Sequence, residues 1–163
     1  MKNIIFTAIA FTALTVTSAH AAQSCYVMGD SIAFGTATQL PQCQSDAKVG
    51  LNTKDALNRF IDVPYTQATV ISLGVNDRGT SLPTDTNLEI IRARVHSPTV
   101  VWILPTDAGK KAVIERVAHA HNDLTIDLNS PDILKHVSTI DHIHPDMTGY
   151  HLVASKAKAL AKL

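Results

Sequence analysis

Two runs of the sequence are apolar and rich in β-branched residues along their whole length: residues 68–73 (ATVISL) and 99–104 (TVVWIL). A strand that faces solvent on one side alternates apolar and polar residues, whereas a strand covered on both sides is apolar throughout. The two runs therefore predict strands in the middle of a sheet that carries helices on both faces.

Strand and helix patterns alternate along the rest of the chain. Strands that alternate with helices indicate a parallel sheet between two layers of helices. We therefore predict an α/β fold, a three-layer α/β/α sandwich with about five parallel strands in one domain. The predicted second helix begins at Thr53, whose side chain is the expected cap. Further strands are expected over residues 25–28, 46–49 and 124–128, and helices over 31–39, 53–61, 86–95, 110–120 and 145–163.

The N-terminal segment differs in composition from the rest of the chain. Lys2 gives it a positive start, residues 4–16 form an uncharged and mostly apolar run, and residues 19–21 (AHA) fit the small-x-small pattern of a cleavage site. The apolar run has about 13 residues, fewer than the roughly 20 that span a bilayer.

We therefore expect residues 1–21 to be a signal peptide, cleaved after Ala21 or Ala22, and residues 22–163 to form the mature domain. The alternative is an uncleaved N-terminal membrane anchor. Cleavage predicts a secreted or periplasmic protein with no stable insertion in the membrane.

The charge balance argues against two classes of partner. The sequence has 14 Lys and Arg residues and 14 Asp and Glu residues. It therefore lacks the basic excess that binds nucleic acid, and it has no polybasic run for anionic lipid. A composition of 45% hydrophobic and 17% charged residues is that of an ordinary globular domain.

The sequence contains two cysteines, Cys25 and Cys43. An even pair in an exported chain suggests a disulfide, which would contribute roughly 3 kcal/mol by closing this loop in the unfolded state. The alternative is a pair of buried thiols. A disulfide would require the two backbone segments to lie side by side.

Polar residues follow two of the predicted strands and precede the last helix. Residues 29–31 (GDS) follow the first strand, 74–77 (GVND) follow the third, and 141–145 (DHIHP) precede the last helix. Ligands of parallel α/β sheets bind beyond the carboxyl ends of the strands. We therefore expect these three segments to meet at one edge of the sheet.

Ser31 has two interpretations. At the start of a helix it can be an ordinary N-cap, and it can also be a nucleophile if a base takes its proton. Asp141 and His144 are spaced so that the carboxylate can hold the imidazole Nδ1–H, which leaves Nε2 for the serine. The alternative for Asp141 and His144 is a solvated polar loop. Pro145 suits the first turn of the helix that follows.

Gly50 and Asn76 are candidate hydrogen-bond donors to a developing oxyanion. The side-chain amide of Asn76 follows a buried strand, and the N–H of Gly50 can approach a ligand closely because glycine has no side chain. The alternatives are an Asx-type turn at Asn76 and a plain turn at Gly50.

His142 and Pro105 are candidate substrate contacts. His142 belongs to a group that includes Asp141 and His144, which raises the alternative of a metal site. Side chains two residues apart on an extended backbone point to opposite faces, so we expect His142 at the rim of the site and no metal. Pro105, with Thr106 and Asp107, follows the fourth strand and is expected to line the pocket.

Together these residues resemble the SGNH (GDSL-type) hydrolases. The segment 29–31 with Gly35 is similar to block I, Gly50 stands where block II has its oxyanion glycine, and residues 74–77 are similar to block III. Residues 141–145 are similar to block V, and Gly149-Tyr150 fits the run that follows it. A departure is His142, at a position where the family often has a small residue.

The resemblance implies a flavodoxin-like fold and a metal-free serine hydrolase with no cofactor. It implies that Ser31 is the nucleophile, His144 the general base and then acid, and Asp141 the residue that orients it. The Ser31 and Gly50 N–H groups and the Asn76 side chain would bind the oxyanion.

A short chain without a long lid favours small acyl groups, and export suggests an acetyl ester on a polysaccharide or another small-molecule or glycan ester. Alternatives are a lysophospholipase or thioesterase of the same family, a glycan-binding module without catalysis, and a metal-dependent enzyme.

Overall fold

The computed structural model of the protein describes residues 24–78 and 83–163. The predicted signal peptide and its cleavage site lie outside these residues. The described part contains the strands β1 (Cys25–Gly29), β2 (Gln44–Ala47), β3 (Ala68–Ser72), β4 (Thr99–Leu104) and β5 (Leu124–Asp127). Its helices are α1 (Ser31–Thr38), α2 (Thr53–Arg59), α3 (Thr84–Ala93), α4 (Ala108–Ala120), α5 (Pro131–Leu134) and α6 (Met147–Ala161).

The strands form one sheet in the order β2-β1-β3-β4-β5, and all neighbouring pairs are parallel. This is the flavodoxin-like order, and it confirms the predicted α/β/α sandwich. The connection that follows β1 runs to β2, toward one edge of the sheet. The connection that follows β3 runs to β4, toward the other edge. A crevice therefore opens between the loops that follow β1 and β3, which is where such sheets bind ligands.

The sheet has an apolar core on each face. Val101 and Ile103 of β4 belong to the core beneath α1, α5 and α6, whereas Trp102 and Leu104 belong to the core beneath α2, α3 and α4. Successive side chains of a strand point to opposite faces, so a strand with helices on both sides must be apolar at every position. This explains the run over Thr99–Leu104.

The predicted disulfide is present between Cys25 and Cys43, with their Cα atoms 4.7 Å apart. Cys25 begins β1 and Cys43 immediately precedes β2, and these two strands are neighbours in the sheet. The bond therefore closes the chain around α1, the helix that begins at Ser31.

Several predicted element boundaries are wrong. The edge strand β2 begins at Gln44, two residues before the predicted start, and the short helix α5 was not predicted. Helix α6 begins at Met147 because the side chain of Asp146 caps it, so Pro145 is not in its first turn. Pro145 instead pairs with Val137 in an isolated bridge.

The cap predicted for α2 is also wrong. The side-chain oxygen of Asn52 accepts a hydrogen bond from the Asp55 N–H at 2.9 Å, so Asn52 is the N-cap. Thr53 is the first helical residue, and its hydroxyl donates to the carboxylate of Asp77 instead.

Within the described residues, no helix is long and apolar enough to cross a membrane.

Candidate active site

Ser31 is positioned by the end of β1 and by the cap of α1. The Asp30 N–H donates to the Ser72 carbonyl of β3 at 2.9 Å, which fixes the chain as it leaves the sheet. Asp30 Oδ1 then accepts from the Ile32 N–H at 3.0 Å and caps the helix. The N-cap interpretation of Ser31 is therefore wrong, because Asp30 performs that role and leaves the Ser31 hydroxyl for another partner.

That partner is His144. Ser31 Oγ lies 2.8 Å from His144 Nε2, although 113 residues separate the two along the chain. His144 Nδ1 lies 2.9 Å from Asp141 Oδ2. The hydrogen bond from His144, with backbone N–H bonds from Ile143 and His144, holds the pKa of the Asp141 carboxyl well below its usual range. An ionised Asp141 accepts from Nδ1–H, so Nε2 is free to accept the serine proton.

The loop that carries His144 is closed on itself by backbone hydrogen bonds. The Ser138 N–H donates to the His144 carbonyl at 2.8 Å, and the Asp146 N–H donates to the His136 carbonyl at 2.7 Å. Asp146 then begins α6 by capping it through the Gly149 N–H. A loop fixed at both ends in this way restricts the imidazole to a narrow range of positions, as proton transfer from a serine requires.

Gly50 and Asn76 are brought together by the neighbouring loops. Gly50 has a φ of +76°, in the region that favours glycine, and a Cβ there would meet nothing within 4 Å. The Lys48 N–H donates to the Gly29 carbonyl at 2.9 Å, which places the Gly50 loop beside the end of β1. Asn76 Nδ2 donates to the Leu51 carbonyl at 3.1 Å, and within the described residues the second N–H of this amide has no protein acceptor.

A cavity of about 340 Å³ adjoins this site on the β4 side. His142 lines it, and its carbonyl accepts a hydrogen bond from Thr106 Oγ1. Pro105 is buried and does not belong to the lining, whereas Thr106 and Asp107 do. The residues that line the cavity are Val75, Thr106, Asp107, Lys110, Asp141, His142 and Ile143.

The described structure does not support a metal site formed by Asp141, His142 and His144. Among residues 24–78 and 83–163 there is no group of three or more His, Cys, Asp or Glu side chains arranged to hold a metal ion. The imidazole of His144 is bonded on both sides, to Asp141 and to Ser31.

Asp30 carries a buried carboxylate that the sequence did not single out as part of the site. Its Oδ1 also accepts from Ser72 Oγ at 2.9 Å, which explains the polar residue inside the apolar run of β3. Its Oδ2 has no hydrogen-bond partner within the described part of the chain. Burial raises the pKa of Asp30 from 3.8 to about 6, against the opposing effect of its hydrogen bonds.

The raised pKa of Asp30 should make the stability of the protein depend on pH, and Asp30→Asn should remove this dependence. The folded protein binds the Asp30 proton more tightly than the unfolded chain does. Protonation of Asp30 therefore contributes fully to stability below about pH 4, and this contribution is lost as the pH rises through about 6. Relative to wild type, Asp30→Asn should gain up to about 3 kcal/mol of unfolding free energy between pH 4 and pH 7. Urea unfolding of both proteins across this range measures the difference.

The control for Asp30→Asn is Asp132→Asn. The pKa of the half-exposed Asp132 is lowered by its hydrogen bond to Lys156, so this variant should show no such gain. A stability difference for Asp30→Asn that stays flat from pH 4 to pH 7 would contradict the shifted pKa.

Gly35 and Tyr150 set the contact between α1 and α6 behind Ser31. A Cβ on Gly35 would lie 2.2 Å from the Tyr150 ring, so only glycine lets the two helices approach this closely. Burial, with the negative charges of Asp30 and Asp141, raises the pKa of Tyr150 to about 12. Tyr150 therefore stays neutral and serves as packing between α1, which begins at Ser31, and α6, which follows the loop that carries His144.

The fold was compared with solved structures. The C-terminal catalytic domain of peptidoglycan O-acetyltransferase A (OatA) from Streptococcus pneumoniae superimposes with a TM-score of 0.61 and 19% sequence identity, over 86% of this chain and 95% of that one. A Bacteroides fragilis protein for which acylhydrolase activity has been suggested superimposes with a TM-score of 0.64 and 18% identity, over 86% of each chain. The chain has an SGNH hydrolase-like fold.

No family model and no curated protein matches the sequence. The SGNH-like fold is therefore recognised from the three-dimensional structure and from the short motifs at the ends of β1 and β3 and before α6. At identities this low, the likeness establishes the fold, and the chemistry has to be argued from the residues of this chain.

Proposed function

We propose that the protein is a secreted serine esterase that hydrolyses small acyl esters, acetyl esters above all, through an acyl-enzyme. The observation that carries the proposal is the hydrogen-bonded series Asp141, His144 and Ser31 at the N-terminus of α1. A nucleophile, its base and the group that orients the base are the components of acyl transfer by serine.

In the proposed reaction, Ser31 Oγ attacks the ester carbonyl carbon while its proton passes to His144 Nε2. The carbonyl oxygen becomes an oxyanion, for which the N–H groups of Ser31 and Gly50 and the Asn76 side chain are the proposed donors. The tetrahedral intermediate collapses, its C–O bond to the alcohol breaks, and the alcohol leaves with the proton from His144. Water then attacks the acyl-enzyme by the same route and releases the acid.

Small acyl groups and a glycan ester are proposed for three reasons. The side chains of His144 and Asp141 remain partly exposed, so the site is open to a polymer. The disulfide fits an oxidising compartment outside the cytoplasm, where envelope and environmental polysaccharides are found. One of the structural neighbours is a peptidoglycan O-acetyltransferase, a protein named for an acetyl group on a glycan.

A second candidate is a lysophospholipase or thioesterase that acts on longer acyl chains. Large exposed apolar side chains lie within a few residues, along the sequence, of the proposed functional residues. Esters with an apolar chain would cover side chains of this kind. These side chains are Phe34 (54% exposed), Val49 (67%), Ile140 (93%) and Met147 (67%).

The test is hydrolysis of a series of 4-nitrophenyl esters by the purified mature protein, together with labelling by a fluorophosphonate. We expect acetyl esters to be hydrolysed with the highest kcat/KM and the label to be found on the peptide that contains Ser31. A preference for octanoyl or longer esters would favour the second candidate. Absence of both turnover and label would leave a binding module and overturn the proposal.

A further inference from the structure

Asp77 lies next to Asn76, and its carboxylate joins three parts of the chain. Its Oδ1 accepts from the Thr53 N–H at 2.8 Å, and its Oδ2 accepts from the hydroxyls of Thr53 and Thr84. Thr53 and Asn87 are fully buried, and Asn87 Nδ2 donates to the Thr53 hydroxyl at 2.9 Å. The carboxylate thus connects the loop after β3 to the first residues of both α2 and α3.

Two consecutive side chains therefore bind the same short segment. Asn76 Nδ2 donates to the Leu51 carbonyl, and Asp77 accepts from both donors of Thr53. This segment begins directly after Gly50. The loop that carries Gly50 is thereby tied to the loop that carries Asn76. The partners in these two contacts are 24 and 25 residues apart in the sequence.

We propose that Asp77 is a positioning residue for the oxyanion hole, which holds Asn76 and the Gly50 loop in a fixed relative position. The inference rests on the proposed function. Oxyanion donors act only within a narrow range of distance and angle, and both of these donors lie on loops and need support from neighbouring groups. Asp77 supplies that support without contacting the reacting atoms.

Removing the carboxylate should weaken transition-state stabilisation more than substrate binding. We expect Asp77→Ala to lower kcat for 4-nitrophenyl acetate by about 10- to 100-fold with little change in KM. Asp77→Asn keeps an acceptor for the Thr53 N–H but presents an NH₂ group to the hydroxyls of Thr53 and Thr84. It should therefore retain more activity than Asp77→Ala.

A double-mutant cycle with Asn76→Ala separates positioning from general loss of structure. Asn76→Ala alone should cost about 10²- to 10³-fold in kcat. If Asp77 acts by positioning Asn76 and the Gly50 loop, Asp77→Ala should lower kcat by a clearly smaller factor in the Asn76→Ala background than in wild type, because only the Gly50 contribution is left to lose. Equal factors in the two backgrounds would overturn the inference.

The control for stability is Asp123→Ala. Asp123 accepts from Arg92 and from Trp102 Nε1 and lies just before β5, at the opposite edge of the sheet from the site. This variant should lose stability in urea while keeping kcat per folded molecule. An active wild type with an equally active Asp77→Ala overturns this inference alone, whereas a wild type without turnover or fluorophosphonate label overturns the proposed function as well.

Discussion

Ser31→Ala is expected to reduce the hydrolysis of 4-nitrophenyl acetate by at least about 10⁴-fold. The change deletes the one atom that is proposed to form the covalent bond to the acyl group. His144 and Asp141 remain in place, but without the serine oxygen they can act only on water. Initial rates of the purified mature variant, measured beside wild type over a range of substrate concentrations, provide the test.

The structural consequences of Ser31→Ala should be small. Asp30, and not Ser31, supplies the capping hydrogen bonds of α1, so the helix keeps its N-terminal cap. Urea unfolding should therefore shift by less than about 1 kcal/mol, as is usual for a partly exposed substitution. Turnover comparable to wild type, or fluorophosphonate labelling of the variant, would refute the role of Ser31.

The control for Ser31→Ala is Ser45→Ala. Ser45 is an exposed serine on the edge strand β2, so its hydroxyl is accessible to solvent but has no neighbouring imidazole in the described structure. This variant should keep full activity and should still be labelled at Ser31. A serine is reactive only beside a base, so exposure alone does not create a nucleophile.

Gly29→Ala is expected to destabilise the protein by at least about 4 kcal/mol or to prevent folding. Gly29 has a φ of +137°, and a Cβ there would lie 1.8 Å from the Ser72 carbonyl oxygen. That oxygen accepts the Asp30 N–H at the end of the β1 and β3 pair. The added methyl group must therefore separate the two strands whose loops carry Ser31 and Asn76.

Soluble yield, far-UV circular dichroism and urea unfolding with the disulfide intact measure the effect of Gly29→Ala. Two glycine variants serve as controls. Gly50→Ala meets only the strain of its positive φ and should cost about 1 kcal/mol, and Gly109→Ala in the first turn of α4 should be neutral or stabilising. A Gly29→Ala protein as stable as Gly50→Ala would show that the close approach of the two strands is dispensable.

The strands of the core were predictable because their signal is local. A strand with helices on both sides must be apolar at each position, and Thr99–Leu104 was predicted with its observed bounds. The edge strand β2 has the sequence QSDA, which lacks an apolar pattern, so it was placed two residues too late. Helix α5 has only four residues, too few for a periodic pattern to appear.

The polar network around the site was beyond the reach of sequence patterns. The sequence predicted Ser72 only as part of an apolar strand. Its hydroxyl in fact donates a hydrogen bond to the carboxylate of Asp30, 42 residues away in the sequence. Thr53 was expected to cap α2, but its hydroxyl binds Asp77 and Asn52 caps the helix. These partners are chosen by which buried groups need a hydrogen bond after the chain has packed.

By itself, the sequence determined the parallel α/β architecture, the candidate residues Ser31, Asn76, Asp141 and His144, and the cysteine pair. Each of these follows from residue type and from spacing along the chain, which are local properties. Only the tertiary structure decided that Asp30 caps α1, that Ser31 Oγ lies 2.8 Å from His144 Nε2, and that Asp77 ties the two proposed oxyanion loops together. Such contacts depend on the order of the strands and on the satisfaction of buried polar groups, which no local pattern records.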